Sequence, residues 1–288
     1  MKSFQLKKHD QNIDAPPIQE ANGVMWISSP SLDQLEWAIN GTSTRIGGVS
    51  SGFTEAMNFC NNEFDTPENV SKNREIFFDA IGVDEANVVN SRQIHKTDIA
   101  VVDEAMLALS PDERSQRNGD IDGLTTDVPG TTLACYSADC CIVTIVDPVN
   151  RAVGIAHAGW RGTVEKIASK LLETMTTNYG TSPSDVVCSL GPSICKDCFE
   201  VGEDVVAAAK DAFDESTWPA IFTPHATGDG KYQFDIWEAN AQALIEAGVP
   251  RQSIEKPNAC TCCNPDIFFS HRASNGRRGT IMTFVGIK

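Results

Sequence analysis

Two imidazoles and one thiol are the side chains of this sequence best suited to act together: His95, Cys140 and His157. Only five histidines occur in 288 residues, and these two lie in the unusual stretches NSRQIHKTD and GIAHAGWRG, either side of Cys140 in YSADCCIV. One thiolate and two imidazoles form a ligand set that leaves a fourth position on zinc open to water or substrate. Their long separations match no short ligand motif, so three readings stay open. The residues form a metal centre; or Cys140 is a nucleophile with His157 as its base, a cysteine hydrolase dyad; or they are core residues without chemistry. In the second reading Asp139 points to the opposite face of an extended strand and is not the orienting carboxylate.

The elements that must position these residues follow from pattern. Thr131–Tyr136 and Cys141–Val146 are short β-branched runs split by Ser137-Ala138-Asp139, and Arg151–His157 is a further buried strand after the turn Asp147-Pro148-Val149-Asn150. Cys140 then opens one strand and His157 closes the next, so adjacent strands bring both to one sheet edge. Gly159 and Gly162 imply a sharp turn or a close approach of backbone, and Arg161 falls near a helix start. Apolar spacing predicts a helix from about 163 to 179. Thr66, Pro67 and Gly82 delimit another over 67–81. Helices are also expected over 203–212 and 236–247, with strands over 186–190 and 279–287. Leu109–Asp122 and the Gly- and Ser-dense Ser43–Phe53 read as loops. Strands joined as hairpins and helices set apart in sequence indicate an α+β class.

Composition narrows the partners. With 39 acidic against 23 basic residues and a formal net charge of −16, the chain lacks the basic field that nucleic-acid binding draws on. A few arginines in a cleft can still reverse the potential locally for a small anion. No apolar run approaches the roughly 18 residues of a membrane span. The opening twenty residues carry lysines without an apolar core, so no secretory signal is expected, and several of the ten cysteines lie inside apolar runs, which suits the reducing cytoplasm. Residues 1–23 are expected as a loose extension, and residues 24–288 as a single domain. No oligomeric state is legible.

Two further groups have chemistry open to them. Cys195-Lys196-Asp197-Cys198 and Cys260-Thr261-Cys262-Cys263 read first as buried or near-surface thiols, with a four-thiolate zinc site or a redox pair as the other readings. Arg45 beside Gly47-Gly48 is read first as part of an ordinary mobile loop, and alternatively as an anion cradle.

The segments STRIGGVSSGF, NRE, SRQIH, DGLTTDVPG, YSADCCIV, AHAGWRGTV, LGPSIC with CFEVG, and FFSHRASNGRRG occur in this order from about Trp26 onward. In them the chain resembles the YfiH-like proteins, once called multicopper polyphenol oxidases or laccase-domain proteins and described as purine nucleoside phosphorylases with adenosine deaminase activity. The resemblance implies a single-domain layered α/β/β/α sandwich and zinc, with copper as the other metal, on His95, Cys140 and His157. It implies Arg45 as a catalytic group holding phosphate or another part of the substrate, and Gln93, Asp122, Asp139 and Arg161 as pocket residues. The activity it implies is phosphorolysis of adenosine, inosine and 5′-methylthioadenosine, with deamination of adenosine to inosine as a second reaction. The sequence lacks the tandem His-x-His pairs of true multicopper sites, so a copper-dependent phenol oxidase is a lesser alternative. Lys96 stands where the family has glycine, which brings bulk and charge beside a proposed ligand.

Overall fold

The computed structural model describes residues 5–9, 11–14 and 16–288. Two six-stranded sheets stack face to face. The first has the order Ile254–Glu255, Val187–Leu190, Cys141–Asp147, Ala152–Ala158, Gly123–Thr126, Ile99–Val101; the second runs Ile18–Ala21, Val24–Ile27, Ala38–Ser43, Ile281–Ile287, Thr132–Ser137, Val88–Asn90. Side-chain alternation explains the stacking. In Cys141–Asp147, Cys141, Val143 and Ile145 pack outward against helices, while Ile142 and Val146 pack inward. In Ile281–Ile287, Val285 and Ile287 join the inward layer, and Met282 and Phe284 face the helix Pro67–Ile81. Both faces are thus buried, which is why these strands read as nearly continuous apolar runs. Helices Ile167–Tyr179, Glu203–Ala212 and Ile236–Glu246 cover the first sheet. The result is the expected four-layer arrangement.

The helix over 67–81 forms as its end signals require. Thr66 Oγ1 accepts from the Asn69 N–H at 3.3 Å, and Gly82 takes φ +70° at the C-terminus. Three expectations are corrected. Residues of the supposed loose extension form strands Leu6–Lys8, Gln11–Ile13 and Ile18–Ala21, while residues 1–4, 10 and 15 lie outside those described. For the first of these the reason is remote: Asn264 clamps the backbone of Lys7, accepting from its N–H at 2.7 Å and donating to its carbonyl at 2.9 Å, whereas Ile18–Ala21 pairs with the neighbouring Val24–Ile27. Leu6 is buried beside Ile27, Phe268 and Phe269. Within the supposed loop over 109–122, Pro111–Arg117 is a helix with a reciprocal Ser110–Glu113 capping box. The predicted 163–179 helix is two helices, Trp160–Val164 and Ile167–Tyr179, separated by Lys166 at φ +58°. The break lets the first begin at Gly159, beside the candidate site, while the second lies along the sheet.

Two crossovers between the sheets place the chemistry. The chain leaves the second sheet at Asn90 and enters the first at Ile99, carrying Gln93 and His95 between them. It leaves the second again at Ser137 and enters the first at Cys141, carrying Asp139 and Cys140. Both meet the end of Ala152–Ala158, where His157 pairs with Ile142.

The aromatic cluster under helix Pro67–Ile81 is the firmest test of the outer layer. Phe77 is fully buried and packs edge-on against Trp26, Phe59, Phe78 and Phe284. Phe77→Ala is expected to cost about 3–5 kcal/mol, read as a lowered midpoint in urea unfolding followed by tryptophan fluorescence.

Candidate active site

The metal-capable atoms of His95, Cys140 and His157 lie within 4.8 Å of one another, with Cys140 Sγ 4.0 Å from His95 Nε2. The two imidazole rings stand nearly perpendicular, centroids 4.7 Å apart. Donor atoms around a tetrahedral ion with bonds of about 2.0–2.3 Å sit about 3.5 Å apart, so this trio fits zinc with small adjustment. His157 is buried, Cys140 half-buried and His95 exposed, and the last two line a cavity of about 300 Å³.

Asp122 organises the trio. Its carboxylate is fully buried and accepts from the consecutive N–H groups of Ile94, His95 and Lys96 at 3.1, 2.9 and 2.9 Å. It also accepts from His157 Nδ1 at 2.9 Å, which fixes the tautomer and leaves Nε2 for a metal or proton. Burial alone would raise its pKa, but the bonds from His157 and from the Lys96 and Ile94 amides bring it below the usual carboxylate value. His95 is held at φ +62° by this wrap, a conformation uncommon outside glycine. Lys96 has no positive φ and is exposed, so its backbone serves the same carboxylate that a glycine would.

Gly159 explains itself here by proximity rather than by a turn. A Cβ at Gly159 would lie 2.8 Å from His95 Cδ2 and 3.2 Å from Cys140 Sγ. Only the bare backbone leaves room for the ring and the sulfur.

Electrostatics favour the thiolate form of Cys140. Burial pushes the Cys140 pKa up, yet the neighbouring His157 and His95 imidazoles outweigh it and bring the thiol to about 6. Burial lowers the His157 pKa, but Cys140 and Asp122 together lift it to about 9. Without a metal, the two form a thiolate–imidazolium pair at neutral pH.

The structure redistributes the remaining expected residues. Arg161 lines the cavity, stacked on Trp160 at 4.3 Å. Asp139 also borders it, but its carboxylate braces the corner, accepting from Thr261 Oγ1 at 2.6 Å and the Arg272 N–H at 2.7 Å. Asp122, expected in the pocket, touches His157 and backbone instead. Gln93 clamps the strand Thr132–Ser137, with both bonds to the Tyr136 backbone at 2.7 Å. Arg45 does not line this cavity: it donates to the carbonyls of Glu55 and Pro265 at 2.6 and 2.7 Å and stacks on Phe269 at 4.5 Å. Its glycine neighbour Gly48 serves packing, since a Cβ would meet the Ala56 carbonyl oxygen at 2.3 Å.

The cavity's other basic residues come from a later segment. His271, Arg272 and Arg278 join Arg161 on the wall, with Phe199 and Trp160 as its aromatic surface. Arg278 Nε is buried without a hydrogen-bond partner among the described residues. The density of cations in SHRASNGRRG was the available signal. It reads as a polar surface turn until the fold carries it to Cys140.

The family model for multi-copper polyphenol oxidoreductase laccase matches residues 39–288, and the chain belongs to that family. A purine nucleoside phosphorylase, YlmD of Bacillus subtilis, is 33% identical, covering 87% of this chain and 88% of the relative. An adenosine deaminase, RL5, from an unknown prokaryotic organism, is 36% identical, covering 89% and 98%. The crystal structure of YlmD from Geobacillus stearothermophilus superposes with a TM-score of 0.84 at 31% identity, covering 94% of this chain and 98% of that one. Among the described residues no helix is long and apolar enough to cross a membrane.

Asp122→Asn would keep the shape but lose the ionised acceptor behind His157. Metal affinity is expected to fall about 10–100-fold, measured by competition with a chelating dye. In metal-free protein, Cys140 should be alkylated readily by iodoacetamide at pH 7, and ever more slowly as pH falls through about 6 and the thiolate is protonated. Peptide mass mapping across pH reads this directly.

Proposed function

We propose that this chain is a zinc-dependent purine nucleoside phosphorylase acting on adenosine, inosine and 5′-methylthioadenosine, and that it also deaminates adenosine to inosine. The family membership and the activities named for the relatives support the reading, and the wall of the cavity carries it. A chain of net charge −16 gathers three arginines and His271 around one cavity of about 300 Å³. That volume lies at the lower end of the range for small-molecule sites, about 300–1,000 Å³. The unpartnered Arg278 Nε is the donor most in want of an anion.

In this reading Arg161, Arg272 and Arg278 bind phosphate through charge-assisted hydrogen bonds. Trp160 and Phe199 offer flat apolar faces to the purine. Positive charge builds on the ribose as the glycosidic bond breaks, and the oriented phosphate both stabilises that carbon and attacks it. His95, Cys140 and His157 would hold the metal, copper being the other candidate. When bound, zinc supplies Lewis acidity of the kind that makes water nucleophilic near neutral pH, which deamination requires. Asp122 keeps His157 in register throughout. Arg45 is a positioning residue that ties the Pro265 segment to the loop after Ser43.

A second reading has one specific observation behind it. Cys140, His157 and Asp122 stand in the order nucleophile, base and orienting carboxylate, with the thiol brought to about 6. A cysteine hydrolase acting on an amide or cell-wall precursor would use them without metal.

Product analysis of the purified protein with adenosine separates these readings. Adenine and ribose 1-phosphate should appear only with phosphate present, and inosine with or without it. Protein carrying stoichiometric zinc that yields none of these would refute the proposal, and hydrolysis of an amide substrate that survives chelation and is abolished by alkylation of Cys140 would favour the hydrolase. Bound copper with oxygen consumption would favour the phenol oxidase. Arg278→Ala should raise the KM for phosphate about 10–100-fold, the worth of about 1.5–3 kcal/mol for a hydrogen bond to a charged group. Phosphate-independent deamination should fall far less.

A further inference from the structure

We propose that Cys195, Cys198, Cys260 and Cys263 bind a second zinc ion, a closed structural site separate from the His95–Cys140–His157 trio. The four sulfurs lie within 4.8 Å of one another. They come from two Cys-x-x-Cys segments distant in sequence, joined by a backbone bridge between Ser193 and Cys260. All four are free thiols, and Cys198 Sγ and Cys263 Sγ stand 3.5 Å apart. That exceeds the about 2.05 Å of a disulfide bond and approaches the edge, about 3.8 Å, of a tetrahedron with Zn–S bonds of about 2.3 Å.

The surroundings suit thiolates rather than thiols. Backbone N–H groups of Cys195 and Cys263 donate to Cys260 Sγ at 3.3 and 3.4 Å, and the N–H of His9 donates to Cys263 Sγ at 3.3 Å. Amide donors aimed at sulfur offset the charge that four thiolates bring to one ion. Cys195 and Cys260 are buried, and Cys198 and Cys263 half-buried. Four protein donors fill the tetrahedron and leave no position for substrate, which marks a structural site.

The site's place in the fold says what it holds. Its first segment continues into Phe199, which lines the cavity, and the carbonyls of Cys198 and Glu200 accept from the Arg272 guanidinium at 3.1 and 3.0 Å. Its second segment contains Thr261, which bonds Asp139 next to Cys140. Through His9 it also pins the N-terminal hairpin. The ion would therefore tie together three segments that meet at the margin of the hydrophobic core. The inference is independent of the reaction catalysed at Cys140.

Metal analysis of the full-length protein, purified without chelators, decides the matter. Two zinc equivalents per chain are expected, with one remaining in His95→Ala/His157→Ala. Zinc-edge absorption on that double variant should show four sulfur neighbours at about 2.3 Å. Cys263→Ser should lose one equivalent, keep the other, and raise the KM for substrate. If Cys263→Ser does not fold, the wild-type count and the absorption spectrum still decide. A single equivalent in the wild type that disappears in the double variant would overturn the proposal. So would iron in the cluster, or non-reducing peptide maps in which these cysteines are disulfide-bonded.

Discussion

A carboxylate without solvent holds this site together. Asp122 is buried among backbone and imidazole donors, and a charge in that place is tolerable only because every side of it is answered by a hydrogen bond. Three of the donors are successive amides of one crossover, and the fourth is the ring at the end of a strand. One ion thus fixes the backbone of His95 and the orientation of His157 together. It forces His95 into a left-handed conformation that a free peptide would avoid.

The sandwich supplies the rest by geometry. Each sheet is incomplete as a platform for the trio, because His95 and Cys140 both arrive on segments passing from the second sheet to the first. The site therefore sits where both hydrophobic layers end and polar backbone is allowed. Gly159 closes the arrangement from a third direction, its missing side chain being the space that the ring and the sulfur occupy.

Much of this was legible in the sequence because it was local. The helix over 67–81 announces both of its ends, and the strands around Cys140 and His157 follow from β-branched runs broken by turn residues. The rarity of histidine and the density of the flanking motifs singled out the trio, but only the resemblance to the family implied it as a ligand set. What depends on contacts across long stretches of chain was not. Asp122 could be marked as belonging to the site, but not as the support behind His157 rather than a group at the substrate. Nor could Arg45 be separated from the arginines that line the cavity, since all lie in glycine-rich or polar segments that read as surface. The strand Leu6–Lys8 escaped notice because Asn264, which clamps it, lies 257 residues away from Lys7. Ile18–Ala21, by contrast, pairs locally with Val24–Ile27 across Asn22-Gly23, a turn signal that was overlooked.

The strand Ile281–Ile287, last in order among the described elements, lies inside the second sheet, between Ala38–Ser43 and Thr132–Ser137. During translation both neighbours emerge long before the strand that must separate them. Until it arrives, each presents an unpaired edge able to pair wrongly with the other or with another nascent chain. Completion of the sandwich thus waits for the ribosome to finish these residues, and a message cut short even slightly upstream of them yields a polypeptide with its central seam open.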